Sequence, residues 1–222
     1  MQSGSSRVEI NFSVTLTSSN DNPGNPGTST EMSLPTTFST DWSYSAVKGN
    51  SASWFDPAND YTRNMALKGD NLYVVQRDPD NSTGYIRIVN AKTGALKGSL
   101  SSSGIANDAY QFASVANMGG TIVACNLAYG ATSTLRVYSW SGDSSTPTLV
   151  LETSSNHGAR MGDVMSVSGT INNGKIYFAS NGDYLSRIYV YTITNGKAST
   201  TPQVITLKNA SGSAYDLGGT AA

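Results

Sequence analysis

Between Tyr61 and Leu100 the apolar positions fall in four short runs, Asn64–Leu67, Leu72–Gln76, Tyr85–Asn90 and Ala95–Leu100. Turn signals part them: Lys68-Gly-Asp-Asn71 and Asn90-Ala-Lys-Thr-Gly94 are rich in residues that accept positive φ or cap a turn. The pattern returns twice. A second unit places strands at Phe112–Ala116, Thr121–Asn126, Thr134–Trp140 and Thr148–Glu152, and a third at Asp163–Ser168, Lys175–Ser180, Ser186–Ile193 and Gln203–Leu207. Leu72 to Ile122 is 50 residues and Ile122 to Ile176 is 54; Ile86 to Leu135 is 49 and Leu135 to Ile188 is 53. Two strands thus give about the same step. A four-stranded unit at that period predicts an all-β, propeller-like array of three four-stranded antiparallel blades. The second strand of each unit (Leu-Tyr-Val-Val, Thr-Ile-Val-Ala, Ile-Tyr-Phe-Ala) is apolar on both faces, as for a strand covered from both sides. A plain antiparallel sandwich would also give short strands and regular turns, but not the matched period.

Upstream, Val8, Ile10, Phe12, Val14 and Leu16 alternate with polar residues, which predicts a half-buried strand within residues 1–17, read as the end of an upstream module. Residues 18–31, with two Asn-Pro-Gly units, read as a flexible linker. Residues 32–60 form an aromatic lead-in carrying Phe38, Trp42, Tyr44, Trp54 and Phe55. Such aromatics cover a core more often than they stand open. Were they open, Trp54 and Phe55 would be the aromatic platform for sugar rings. Residues 61–222 hold the propeller-like repeats, in blades of about 61–107, 108–157 and 158–210, with 211–222 as the start of a fourth. Three blades do not close a ring, so missing blades or a homodimer are expected to complete it.

Charge narrows the partners. Only 13% of residues are charged and the net charge is −1, which removes the electrostatic basis for binding nucleic acid. No run approaches the roughly 18 apolar residues of a membrane helix, and Met1-Gln-Ser-Gly-Ser-Ser has no apolar signal core. Low charge with abundant Ser, Thr, Asn, Gly and Tyr is the composition of secreted β proteins. The single cysteine, Cys125, sits in an apolar run and reads as a buried strand thiol.

Several residues carry a resemblance. Tyr61-Thr-Arg-Asn-Met-Ala66, Asn71-Leu-Tyr-Val-Val75 and Ile88-Val-Asn-Ala-Lys-Thr-Gly94, then Ile122-Val-Ala-Cys-Asn-Leu127, Leu135-Arg-Val-Tyr-Ser-Trp140 and Gly158-Ala-Arg-Met-Gly-Asp163, resemble in order the motifs of a family of exported, propeller-like domains of unknown function from gut bacteria of the Bacteroidetes kind. Members are often surface lipoproteins. The resemblance spans about Tyr61 to Leu207. It implies a propeller and a secreted, periplasmic or cell-surface location. It supplies no activity and no catalytic residue.

Chemistry-bearing motifs are sparse. His157 is the only histidine, and with Cys125 it offers too few ligands for a histidine-based metal site; no metal or other cofactor is expected. Asp78-Pro-Asp-Asn-Ser-Thr-Gly84 offers oxygen ligands but departs from the EF-hand spacing, and reads as an Asx-rich turn. Asp56, Asp60, Asp108, Asp163 and Asp216 are scattered, without the spacing of a catalytic pair. Arg63 and Arg160 are more telling, since each precedes or opens the first strand of its unit. If those strands line a channel, Arg63, Asn64, Gln111, Arg160 and Asp163 meet at its mouth, where planar guanidiniums suit polyols or carboxylates. The alternative is that the arginines tie neighbouring blades together. The function expected is non-enzymatic binding or scaffolding in an exported bacterial protein, with glycan or polysaccharide as the first ligand. The competing readings are a carbohydrate-active enzyme using channel-mouth carboxylates, and an assembly module using open blade edges.

Overall fold

The structure is a computed structural model. It describes residues 42–44, 52, 54–55, 62–77, 83–106, 110–129, 132–153, 160–180 and 187–213, all within the unit Asp41–Ala222. The expected N-terminal strand and linker, His157, the Asp78–Ser82 stretch, Asp56, Asp60, Asp108, Asp216 and all but the first residues of 211–222 lie outside the described residues.

Thirteen strands form three antiparallel sheets, and no helix occurs among the described residues. The first sheet contains β1 (Thr62–Lys68), β2 (Asn71–Arg77), β3 (Gly84–Asn90) and β4 (Leu96–Ser99), paired in sequence order. The second contains β5 (Ser114–Met118), β6 (Thr121–Cys125), β7 (Leu135–Trp140) and β8 (Thr148–Thr153), again in order. The third contains β9 (Met165–Thr170), β10 (Asn173–Ser180), β11 (Arg187–Thr194), β12 (Lys197–Ala198) and β13 (Gln203–Thr206). Every strand expected in these three stretches overlaps an observed one.

The third sheet has five strands where four were expected. Its outer position is split, because β12 and β13 both pair with β11. Between them Ser199–Pro202 face only Tyr191 and Thr192 across the ladder. Pro202 has no N–H to donate, so the ladder cannot run through it.

The sheets pack face to face. Tyr73, Val75, Ile86 and Ile88 of the first sheet meet Val115, Ile122, Ala124, Tyr138 and Trp140 of the second. On the other face of the second sheet, Val123, Cys125, Leu135 and Val137 meet Met165, Ile176, Phe178, Tyr189 and Tyr191 of the third. The second sheet is therefore covered on both sides. Ile122, Val123, Ala124 and Cys125 of β6 are all at most 1% exposed, which is why that strand is apolar without alternation. Burying a side chain of this size contributes about 1.5–3 kcal/mol. In β10 the pattern differs: Ile176 and Phe178 are buried while Tyr177 is half-buried, its hydroxyl hydrogen-bonded to that of Ser168 at 3.0 Å. The expectation of two apolar faces thus fails for this strand, whose far face among the described residues is partly wet.

The lead-in aromatics cover the first sheet. Trp54 packs with Val74 and Val89, joined by Trp42, Tyr44 and Phe55. Trp42 Nε1 donates to Ala91 O at 2.8 Å and Tyr44 Oη to Gly94 O at 2.6 Å, so both rings are pinned to the β3–β4 turn.

Polar side chains stitch together the first strands of successive sheets. Asn64 Nδ2 donates to Ser114 Oγ at 2.7 Å, and Asn64 Oδ1 accepts from Val115 N at 2.9 Å. Ser114 Oγ also accepts from Met165 N at 3.0 Å. One buried hydroxyl thereby links β1, β5 and β9, and satisfies polar groups that burial would otherwise leave unpaired.

Candidate functional site

The site grows from an irregularity in β1. Thr62 pairs with Gln76 and Met65 with Val74, so Arg63 and Asn64 together face the single residue Val75. This is a β-bulge, which breaks the period-2 alternation and re-aims the side chains it contains. Asn64 turns toward β5. Arg63 reaches the third sheet's lead-in, donating from Nη2 to Asp163 Oδ1 at 3.2 Å.

Asp163 belongs to a segment that is itself tightly held. Ala128 and Met161 exchange both backbone hydrogen bonds at 2.9 Å, so Arg160–Asp163 runs beside the stretch that follows β6. Gly162 lies at φ +105°, and a Cβ there would stand 2.2 Å from the carbonyl oxygen of Asn126. Glycine is the residue that permits this approach, and so brings the carboxylate of Asp163 beside the second sheet. Arg160 closes on the same carboxylate in a fork: Nε to Oδ2 at 2.5 Å and Nη2 to Oδ1 at 2.7 Å. The pair is bidentate, the strongest geometry open to these groups.

The charges act on one another. Burial works to raise the pKa of Asp163, but the Arg160 hydrogen bonds and the charges of Arg160, Arg63 and Arg77 overcome it and hold the carboxyl below its ordinary value. The Asp163 hydrogen bond in turn raises that of Arg160. A carboxyl depressed in the folded state contributes stability that is present above its unfolded pKa and lost as pH falls through the folded one. Melting temperature is therefore expected to decline below about pH 4, and Asp163→Asn should flatten that decline. An acid limb identical in the variant would remove Asp163 as its source.

Sequence reasoning missed three further residues. Arg77 ends β2 and is only 6% exposed. Its Nε donates to Phe112 O at 3.2 Å, and its Cζ lies 4.8 Å from the centroid of the Tyr110 ring. The charges of Arg63, Asp163 and Arg160 all bear on it. Tyr110 adopts φ +58°, uncommon for an aromatic residue. It stacks edge-on with Tyr129 at 5.8 Å between centroids. The one signal for Arg77 was a charge just past the apolar run Leu72–Val75. Nothing in the sequence marks Tyr110 or Tyr129, because a left-handed tyrosine and a long-range ring contact leave no local pattern.

Of the residues expected at one mouth, Arg63, Arg160 and Asp163 do meet. Asn64 is taken up by Ser114 and Val115. Gln111 is buried, its Oε1 accepting from Gly84 N at 3.2 Å and its Nε2 donating to Ala106 O at 3.5 Å, so both amides act as ties. Trp54 is 8% exposed, with Tyr44 and Phe55 on its ring, and Phe55 is half-buried. They cover Val74, on the face of β2 opposite Val75 and Arg77, and a buried indole leaves no open platform there. Cys125 is a buried free thiol, its pKa pushed up to about 12 by burial.

Three antiparallel sheets packed in series, with Arg63, Arg77 and Arg160 gathered about Asp163, define the class of protein. The family model described as a domain of unknown function (DUF4623) matches residues 26–220, and the chain belongs to that family. It is similar to the crystal structure of a DUF4623 family protein from Bacteroides eggerthii DSM 20697, with a TM-score of 0.56 and 22% identity. At that identity the likeness is one of fold. The match covers 68% of this chain and 36% of that one, so this chain spans about a third of that relative's length. No curated protein matches the chain.

Proposed function

We propose that this chain is a non-enzymatic binding or scaffold domain of an exported bacterial protein, that its three sheets are blades of a propeller-like array, and that glycan is its ligand. The array is supported by sheets whose strands pair in sequence order and by the hydrogen bonds that set β1, β5 and β9 side by side. An experimental structure separating those three strands would sink it. Export is supported by composition.

The observation that carries the binding reading is the state of Asp163. A catalytic acid needs a pKa raised toward the working pH. Asp163 is instead ion-paired to Arg160 and Arg63 and held below its ordinary value. Its carboxylate neutralises and positions guanidiniums, and does not supply a proton. Beside it the Tyr110–Tyr129 pair, with Tyr129 47% exposed, presents an aromatic surface of the kind on which sugar rings stack.

A glycan-array screen tests this. Wild type is expected to retain a saccharide without turning it over, Asp163→Asn to retain it, and Tyr129→Ala to weaken retention at least fivefold. Turnover abolished by Asp163→Asn would replace the binding reading with the enzymatic one.

A further inference from the structure

Arg77 is a buried cation with an unmet requirement. Its Nη2 is buried and has no hydrogen-bond partner among the described residues. Its pKa is pushed down to about 10, first by burial and then by the charge of Arg63, with Asp163 pulling the other way. At neutral pH it is still a cation. Burying an ionised group without a partner costs several kcal/mol, and native structures seldom carry that cost without a use for it. Asp163 does not meet the need, since both its oxygens are engaged by Arg160 and Arg63. Among the described residues, three guanidiniums thus share one carboxylate.

The surroundings define what is missing. Above Arg77 stands Tyr110, held at φ +58°, a conformation uncommon for an aromatic residue. Tyr129 continues that wall to the surface. Arg63 is half-buried and Arg160 more open. The cluster is therefore cationic at its base and aromatic on one side, and its outer members Arg160 and Tyr129 are exposed. Guanidinium forks match the planar carboxylate, and desolvated ones bind it more strongly than exposed ones.

We propose that this site binds an acidic sugar, with the carboxylate of a uronic acid residue meeting Arg77 and Arg63 and its ring lying against Tyr110 and Tyr129. The inference rests on the glycan reading above and names the class of glycan.

The test is calorimetric titration of the full chain with oligosaccharides of galacturonate, glucuronate and mannuronate, each paired with its carboxyl-reduced counterpart. At least one uronate is expected to bind tenfold or more tightly than its reduced partner. Arg77→Met should cut that preference below twofold, while melting a few degrees above wild type in the absence of sugar. Should Arg77→Met fail to fold, Arg63→Gln must lower the preference at least threefold. Equal binding of acid and reduced forms overturns the inference and leaves the glycan reading standing. Sulfated oligosaccharides binding through Arg77 while uronates do not overturns the carboxylate assignment. Binding of no saccharide, acidic or neutral, overturns both.

Discussion

Gly162→Ala is expected to lower stability by about 2–5 kcal/mol, combining roughly 1–2 kcal/mol for a left-handed residue with about 1–3 kcal/mol of overpacking. The added Cβ would meet Asn126 O at 2.2 Å and the Leu127 Cα at 3.2 Å. Both are backbone atoms, held by the Leu127 and Ala128 hydrogen bonds to Tyr110 and Met161, so neither can step aside without breaking the bridge. For a unit of this size the melting temperature should fall by roughly 10 °C. Sugar binding should weaken as well, because Tyr110 is hydrogen-bonded to the displaced backbone at Leu127 and Tyr129 follows Ala128 in it. Gly120→Ala is the control. Gly120 also has positive φ (+91°) but nothing within 4 Å of an added Cβ, so only backbone strain remains and the loss should be near 1 kcal/mol. Equal losses in the two variants would show that the close approach at Gly162 is not what matters there.

Trp140→Ala is expected to lower stability by about 3–5 kcal/mol. The indole is 1% exposed, with its centroid 6.1 Å from that of Phe112, in the layer where the first and second sheets meet. Its Nε1 donates to Ser101 O at 2.9 Å, which ties the end of the first sheet to β7. Truncation both opens a cavity and orphans that carbonyl. Trp140→Phe should retain about half the loss, since it restores much of the volume but no donor. A thermal shift below 3 °C for Trp140→Ala would mean that the two sheets are joined chiefly by other contacts. The Trp140 substitutions touch no charged group, so their losses should be insensitive to salt, whereas the acid limb assigned to Asp163 should soften as ionic strength rises.

Both residues stand in motifs legible in the chain, Arg160-Met-Gly-Asp163 and Leu135-Arg-Val-Tyr-Ser-Trp140, yet the physical need for them was not. The motif order pointed to the family. Why the glycine must be glycine depends on Asn126, 36 positions away, and why the tryptophan is buried depends on Ser101, just past the first sheet, and on Phe112, just ahead of β5.

What the sequence determined by itself was local: turns rich in Gly and Asn, short apolar runs, and hence three successive antiparallel sheets. These follow from backbone geometry and side-chain period, which act over a few residues. It also brought Arg63, Arg160 and Asp163 forward together, because each lies at a similar place in its unit. Tertiary structure decided the rest. The bulge at Arg63–Asn64 depends on how β1 registers against β2, and a register is a property of the pair. Burial of Trp54 follows from the lead-in folding onto Val74 and Val89. Arg77 became the base of the site only because Phe112 and Tyr110, contributed by the next unit, enclose it. Desolvation of a charge is set by everything that surrounds it, and nothing within a few residues of Arg77 in the chain could announce it.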